Sequence, residues 1–163
     1  MAFVTSAPGD DPIVVEGYFA APPAKVFEAW TDPDIVMKWF GQKPNSLHSA
    51  TIDLRLGGVW RFLKSKDDDK SVGFEGQYLD IQPGVRLVFS WAHVIAYANG
   101  AREATPYSRV EVDFMPKGKG TLVRLVHSAI RSDEARLGIG SGWEASFGAL
   151  GHALAEPGGD IAP

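Results

Sequence analysis

The segment APPAKVFEAWTDPDIVMKWFG, residues 21–41, starts a helix twice in close succession. Pro22-Pro23 ends whatever precedes it, and Pro23 suits a first helical position, where its missing N–H costs nothing. Val26, Phe27 and Trp30 then give a short helix one apolar face. Asp32-Pro33-Asp34 begins again: Asp32 is placed to cap, Pro33 fits the first turn, and Asp34 complements the positive end of the dipole. Ile35, Met37, Trp39 and Phe40 follow, and Gly41 is placed to close the helix.

Upstream of this pair, Ile13 to Phe19 is rich in β-branched and aromatic residues and predicts one strand. Downstream, everything alternates. Ala50, Ile52 and Leu54 share a face, and after the Gly57-Gly58 turn so do Trp60 and Phe62. Further strands are predicted at Phe74–Ile81, Leu87–Trp91, Val110–Phe114 and Leu122–His127, with turns at Pro83-Gly84 and Lys117–Gly120. Ser65–Ser71 reads as a polar hairpin tip. Ser132 is a candidate cap for a last helix, in which Ile139, Trp143, Phe147, Leu150 and Leu154 form a continuous apolar stripe. Gly138, Gly140 and Gly142 mark either a break in that helix or its true start.

The order strand, two helices, six strands, long helix excludes a doubly wound sheet, because parallel crossovers are missing. It predicts an α+β domain over residues 13–154, in which a curved antiparallel sheet wraps the C-terminal helix around an apolar cavity. Residues 1–12 and 155–163 read as flexible tails.

Composition narrows the function classes. The 163 residues are 45% hydrophobic and 22% charged, ordinary globular values, and no apolar run approaches the roughly 18 residues of a membrane span. Met1–Pro12 holds no Lys or Arg ahead of an apolar core, so it does not read as a signal peptide, and a cytoplasmic location is expected. The absence of cysteine rules out disulfides, thiolate nucleophiles and thiolate metal sites. The net charge of −4 lies in residues 1–82, with 12 acids against 8 bases; residues 83–163 hold 8 of each. No basic face is available for nucleic acid or for an anionic membrane surface.

At this point five segments in order resemble one family. They are Ala21–Pro33 with Trp39-Phe40-Gly41; Asp53–Gly58 with Trp60-Arg61-Phe62; Gly76–Ile81 with Arg86–Trp91; His127-Ser128; and Gly142-Trp143. Together they resemble the activator of Hsp90 ATPase homologue 1-like domain, over residues 13 to 154. The resemblance implies the helix-grip fold of the START-like, Bet v 1-like (SRPBCC) superfamily, whose members commonly enclose a hydrophobic cavity. It also brings two other uses: a cyclase, dehydratase or hydrolase acting on a polyketide-like or aromatic substrate, and a module that docks on an Hsp90-type chaperone.

In such a fold the core face of the sheet is also the cavity wall. The expected ligand-lining set is therefore Trp60, Phe62, Tyr78, Phe89, Trp91, His127, Trp143, Phe147 and Leu150, around a hydrophobic small molecule. Tyr78, Trp91 and Trp143 are the candidate polar handles; the alternative is plain core aromatics bonded to backbone carbonyls. Residues 92–106 form a long connection of the kind that often serves as a lid, and His93 falls on it. His127 reads as a hydrogen-bonded core or rim histidine, and with Tyr78 it makes the one weak acid–base candidate.

The remaining signals are bland. His48, His93, His127 and His152 have no metal-ligand spacing, so no metal or cofactor is expected. Asp67-Asp68-Asp69 lacks the spaced ligands of a calcium loop. Gly138-x-Gly140-x-Gly142 follows no strand directly, and Ser90, Ser128 and Ser141 lack a nucleophile elbow. Arg55 and Arg61 are expected to face solvent and pair with carboxylates. No catalytic set can be assembled, so the reading leans away from an enzyme.

Overall fold

A computed structural model describes residues 2–4, 12–41, 43–130 and 133–155. In chain order the elements are β1 (Ala2–Val4), β2 (Ile13–Phe19), α1 (Pro23–Thr31), α2 (Pro33–Trp39), β3 (Ser49–Ile52), β4 (Val59–Lys66) and β5 (Lys70–Gln82). β6 (Arg86–Tyr97), β7 (Arg102–Ala104), β8 (Ser108–Lys117), β9 (Gly120–Ser128) and α3 (Asp133–Ala155) complete the chain. This is the expected helix-grip order, with β1 and β7 added.

The double helix start forms as its residues dictate. Pro23 and Pro33 open α1 and α2, and Asp32 Oδ1 accepts the Asp34 N–H at 2.9 Å. Gly41 leaves α2 with φ of +111°, a conformation that suits glycine. The candidate cap Ser132 lies outside the described residues. α3 runs unbroken from Asp133 to Ala155, so the three glycines at 138–142 are not a break. The residues of the expected tails are likewise outside the description, apart from β1, which pairs with β2, and residues 12 and 155.

One antiparallel sheet runs in the order β1-β2-β9-β8-β6-β5-β4-β3, with β7 beside β6. The first half of β6 pairs with β8, from Arg86↔Asp113 to Trp91↔Ser108. Its second half pairs with β7, from Val94↔Ala104 to Ala96↔Arg102. Residues 92–106 are therefore a hairpin that extends the sheet, and not the long loop expected. Val94 and Ile95 favour extended backbone, and Thr105 ties back to His93 through its hydroxyl at 2.9 Å and its N–H at 3.0 Å. His93 consequently sits on a strand, edge-on to the Phe74 ring at 5.4 Å.

The inner face carries Trp60, Phe62, Tyr78, Phe89, Trp91, Val110, Val112, Phe114, Val123 and Leu125, all buried. Trp143, Phe147, Leu150 and Leu154 of α3 pack over it, as their spacing predicts. A close approach shapes one corner. Trp60 Nε1 donates to the Ser90 carbonyl at 3.2 Å across Gly76, where an added Cβ would lie 1.8 Å from that oxygen. On the outer face, Glu75 is clamped by Arg61 at 3.2 Å and by Arg102, and Arg55 pairs with Asp53 at 2.8 Å.

A two-way clip joins α2 to α3. The Ser146 hydroxyl donates to the Gly41 carbonyl at 2.7 Å and accepts the Gly41 N–H at 3.2 Å. Ser146→Ala removes both bonds and leaves both backbone groups to find water, so a loss of about 1–2 kcal/mol is expected. Urea denaturation measures it; an unchanged midpoint would show that the clip contributes nothing.

Candidate ligand-binding site

Elements from both layers meet at one small void. α1 supplies Trp30, α2 and its C-cap supply Trp39 and Phe40, β4 supplies Trp60 and Phe62, β5 supplies Tyr78, and β6 supplies Leu87 and Phe89. The void measures about 10 Å³, the space of a single water-sized sphere. The side chains expected to line a cavity thus fill it. Their rings meet edge-on or tilted: Trp60 lies 4.8 Å from Phe62 and 5.4 Å from Phe89, and Trp30 lies 4.7 Å from Trp39.

Of the residues singled out from the sequence, Trp60, Phe62, Tyr78 and Phe89 line this void. Trp91, His127, Trp143, Phe147 and Leu150 are buried beside it, in the contact between sheet and α3. Trp30, Trp39, Phe40 and Leu87 belong to the lining and were not anticipated. The apolar face of α1 carried a signal for Trp30, but nothing in a linear pattern says that two short helices cap the open end of a sheet.

Phe40 occupies the centre of the layer. Its ring touches Phe62 at 4.8 Å, Trp91 and Trp143 at 5.8 Å each, and Phe74 at 6.0 Å. It is the C-cap of α2, with extended backbone, so its side chain reaches inward from a chain end and not from a helical turn.

His127 is fully buried and belongs to a closed chain of hydrogen bonds. Trp143 Nε1–H donates to His127 Nδ1 at 3.0 Å. An acceptor at Nδ1 places the ring proton of the neutral imidazole on Nε2, which donates to Ser108 Oγ at 2.6 Å. Ser108 then donates to the Trp91 carbonyl at 3.3 Å. Burial pushes the His127 pKa down to about 3, so the ring is neutral throughout the physiological range. Its partners are Trp143 and Ser108, so both ring nitrogens are engaged without Tyr78. Trp143, expected as a polar handle, has spent its N–H on this chain.

Tyr78 is buried, and burial raises its pKa above the ordinary tyrosine range. The phenol therefore stays protonated and able to donate. Among the described residues no group of three or more histidines and carboxylates is placed to hold a metal ion. No helix among them is long and apolar enough to cross a membrane.

The sequence profile of the activator of Hsp90 ATPase homolog 1-like proteins matches residues 20–155. The chain belongs to this family. No functionally curated protein matches the sequence. Among solved structures, CalU16 from Micromonospora echinospora is 28% identical, with a TM-score of 0.61 over 94% of this chain and 83% of its own. A protein from Arthrobacter aurescens is 20% identical, with a TM-score of 0.73 over 96% and 93%. DynU16, a putative protein in the dynemicin biosynthetic locus, is 23% identical, with a TM-score of 0.65 over 90% of this chain and 48% of its own. These likenesses agree with the helix-grip fold, which in this activator of Hsp90 ATPase homolog 1-like chain is closed around aromatic rings.

Proposed function

We propose that the chain binds a hydrophobic or amphipathic small molecule between the sheet and α3, with Phe40 as the side chain that yields to it. Phe40 carries this reading. Its ring fills the middle of the layer, yet it extends from the C-cap of a seven-residue helix. Rotating that one side chain empties a ring-sized space beside the existing void and breaks no ladder or helical hydrogen bond. The walls so uncovered are aromatic on both sides, Phe62, Phe74 and Trp91 on the sheet and Trp143 on α3, which suits a flat apolar ligand. Membership of a family with a ligand-binding fold supports the same use.

Native mass spectrometry of gently purified protein tests the proposal, with N-phenylnaphthylamine added where nothing co-purifies. The expected result is a one-to-one complex with enhanced probe fluorescence, both lost in Leu87→Phe, whose larger ring occupies the void. A native chain that shows no complex in either form would remove the reading.

A further inference from the structure

The tryptophan N–H groups of the core have separate fates. Trp39 donates to the Ala29 carbonyl at 2.8 Å, Trp60 to the Ser90 carbonyl at 3.2 Å and Trp143 to His127 at 3.0 Å. Trp30 is 4% exposed, and its Nε1 has no hydrogen-bond partner among the described residues. The Trp30 ring packs among other aromatic rings: Trp143 stacks at 5.9 Å, and Trp39, Phe114 and Phe147 meet it at 4.7, 6.3 and 6.1 Å. Buried N–H donors in native structures are nearly always paired, so an orphan next to a void calls for an account. Phenylalanine at this position would fill similar space without burying a donor.

We infer that Trp30 Nε1–H is the ligand's polar anchor, and that the ligand is a flat, neutral molecule bearing a carbonyl oxygen. The inference rests on the binding reading above and specifies its chemistry. The acceptor is neutral because none of the eight residues around the void is charged, and a carboxylate there would lose its water without gaining a counter-ion. A carbonyl has two lone pairs, and Tyr78 lines the same void with a second donor. In the closed state the Trp30 donor is sealed off and unpaired. A ligand that parts the rings and supplies an acceptor repairs that deficit, whereas a pure hydrocarbon leaves it standing.

Fluorene and fluorenone share size and shape and differ at one methylene, which fluorenone replaces by a carbonyl. Titrated into the full chain and followed by tryptophan quenching and calorimetry, fluorenone is expected to bind about tenfold more tightly than fluorene. In Trp30→Phe the two affinities should converge to within about twofold of each other; Tyr78→Phe should narrow the gap only in part. Equal affinities in the native chain, or a preference that survives Trp30→Phe, overturn the inference and leave the binding reading intact. Failure of both molecules to bind overturns both. A readout independent of the variants is the infrared carbonyl band of bound fluorenone in the native chain. It should lie below its position in cyclohexane, and a band at the cyclohexane position refutes the hydrogen bond.

Discussion

His127→Ala should cost about 3–5 kcal/mol of folding stability, the sum of a core cavity, one orphaned N–H and one further lost hydrogen bond. The substitution strips the Trp143 N–H of its acceptor and the Ser108 hydroxyl of its donor, both in buried surroundings. Chemical denaturation at pH 7.5 measures the loss. A cost below about 1 kcal/mol would mean that the hydrogen-bond chain is not what holds α3 against β8 and β9.

The same residue sets a pH dependence. Its pKa is about 3 in the folded chain against roughly 6.5 in the unfolded one, because the buried ring cannot be charged. The unfolded state therefore binds the extra proton, and the stabilising contribution is fully present only above about pH 6.5. It is lost as the pH falls from there toward 3, at about 1.4 kcal/mol per pH unit. The groups in contact with the ring are Trp91, Trp143 and Ser108, none of which titrates in this window. His93, whose pKa is lowered by its own burial and by Lys64, adds a smaller fall of the same sign. Glu75 is held below the usual carboxylate range because Arg102 and Arg61 outweigh its burial, so its effect begins only at lower pH. Between pH 6.5 and 4.5, then, most of the slope belongs to His127. His127→Gln should flatten that segment of the curve and leave the fall at lower pH in place. A slope that persists in the variant would place the titrating group elsewhere.

Phe40→Ala is the second large expected effect. It removes a ring packed on five aromatic neighbours from both layers, and a cost of about 3–5 kcal/mol is expected, since the rigid sheet cannot collapse into the gap. The Gly41–Ser146 clip holds the α2 terminus through backbone atoms, so the space should stay open. A dry apolar cavity of that kind takes up small aromatics. Toluene, followed by line broadening in its NMR spectrum, should bind the variant and raise its denaturation midpoint. A variant that is destabilised but takes up no toluene would show that the layer collapses, and would count against Phe40 as the yielding side chain.

Much of this was legible in the residues. Local chemistry decided the helix starts at Pro23 and Pro33 and the Asp32 cap, and each formed in place. Period-two alternation named inner-face residues such as Trp60 and Phe62 of β4 and Phe89 and Trp91 of β6, because a pleat sends neighbours to opposite sides whatever they pair with. Trp143, Phe147, Leu150 and Leu154 of the α3 stripe are likewise buried against the sheet. The segment 92–106 was misjudged for an equally local reason. Its turn residues, Ala98–Ala101, are flanked by a strand of only three residues, too short for a pattern to register.

Single-chain pattern therefore determined the main elements, their order and, through five matching segments, the family. Which inward residues face one another is a different kind of fact. It depends on sheet register and on how α1 and α2 cap the open end, and those follow from contacts between residues far apart in sequence. Only the folded chain could put Trp143 on His127, seat Phe40 where a ligand was expected, and leave Trp30 a buried donor without a partner among the described residues. Hydrogen-bond satisfaction and void volume are sums over all neighbours in space, and no window along the sequence contains them.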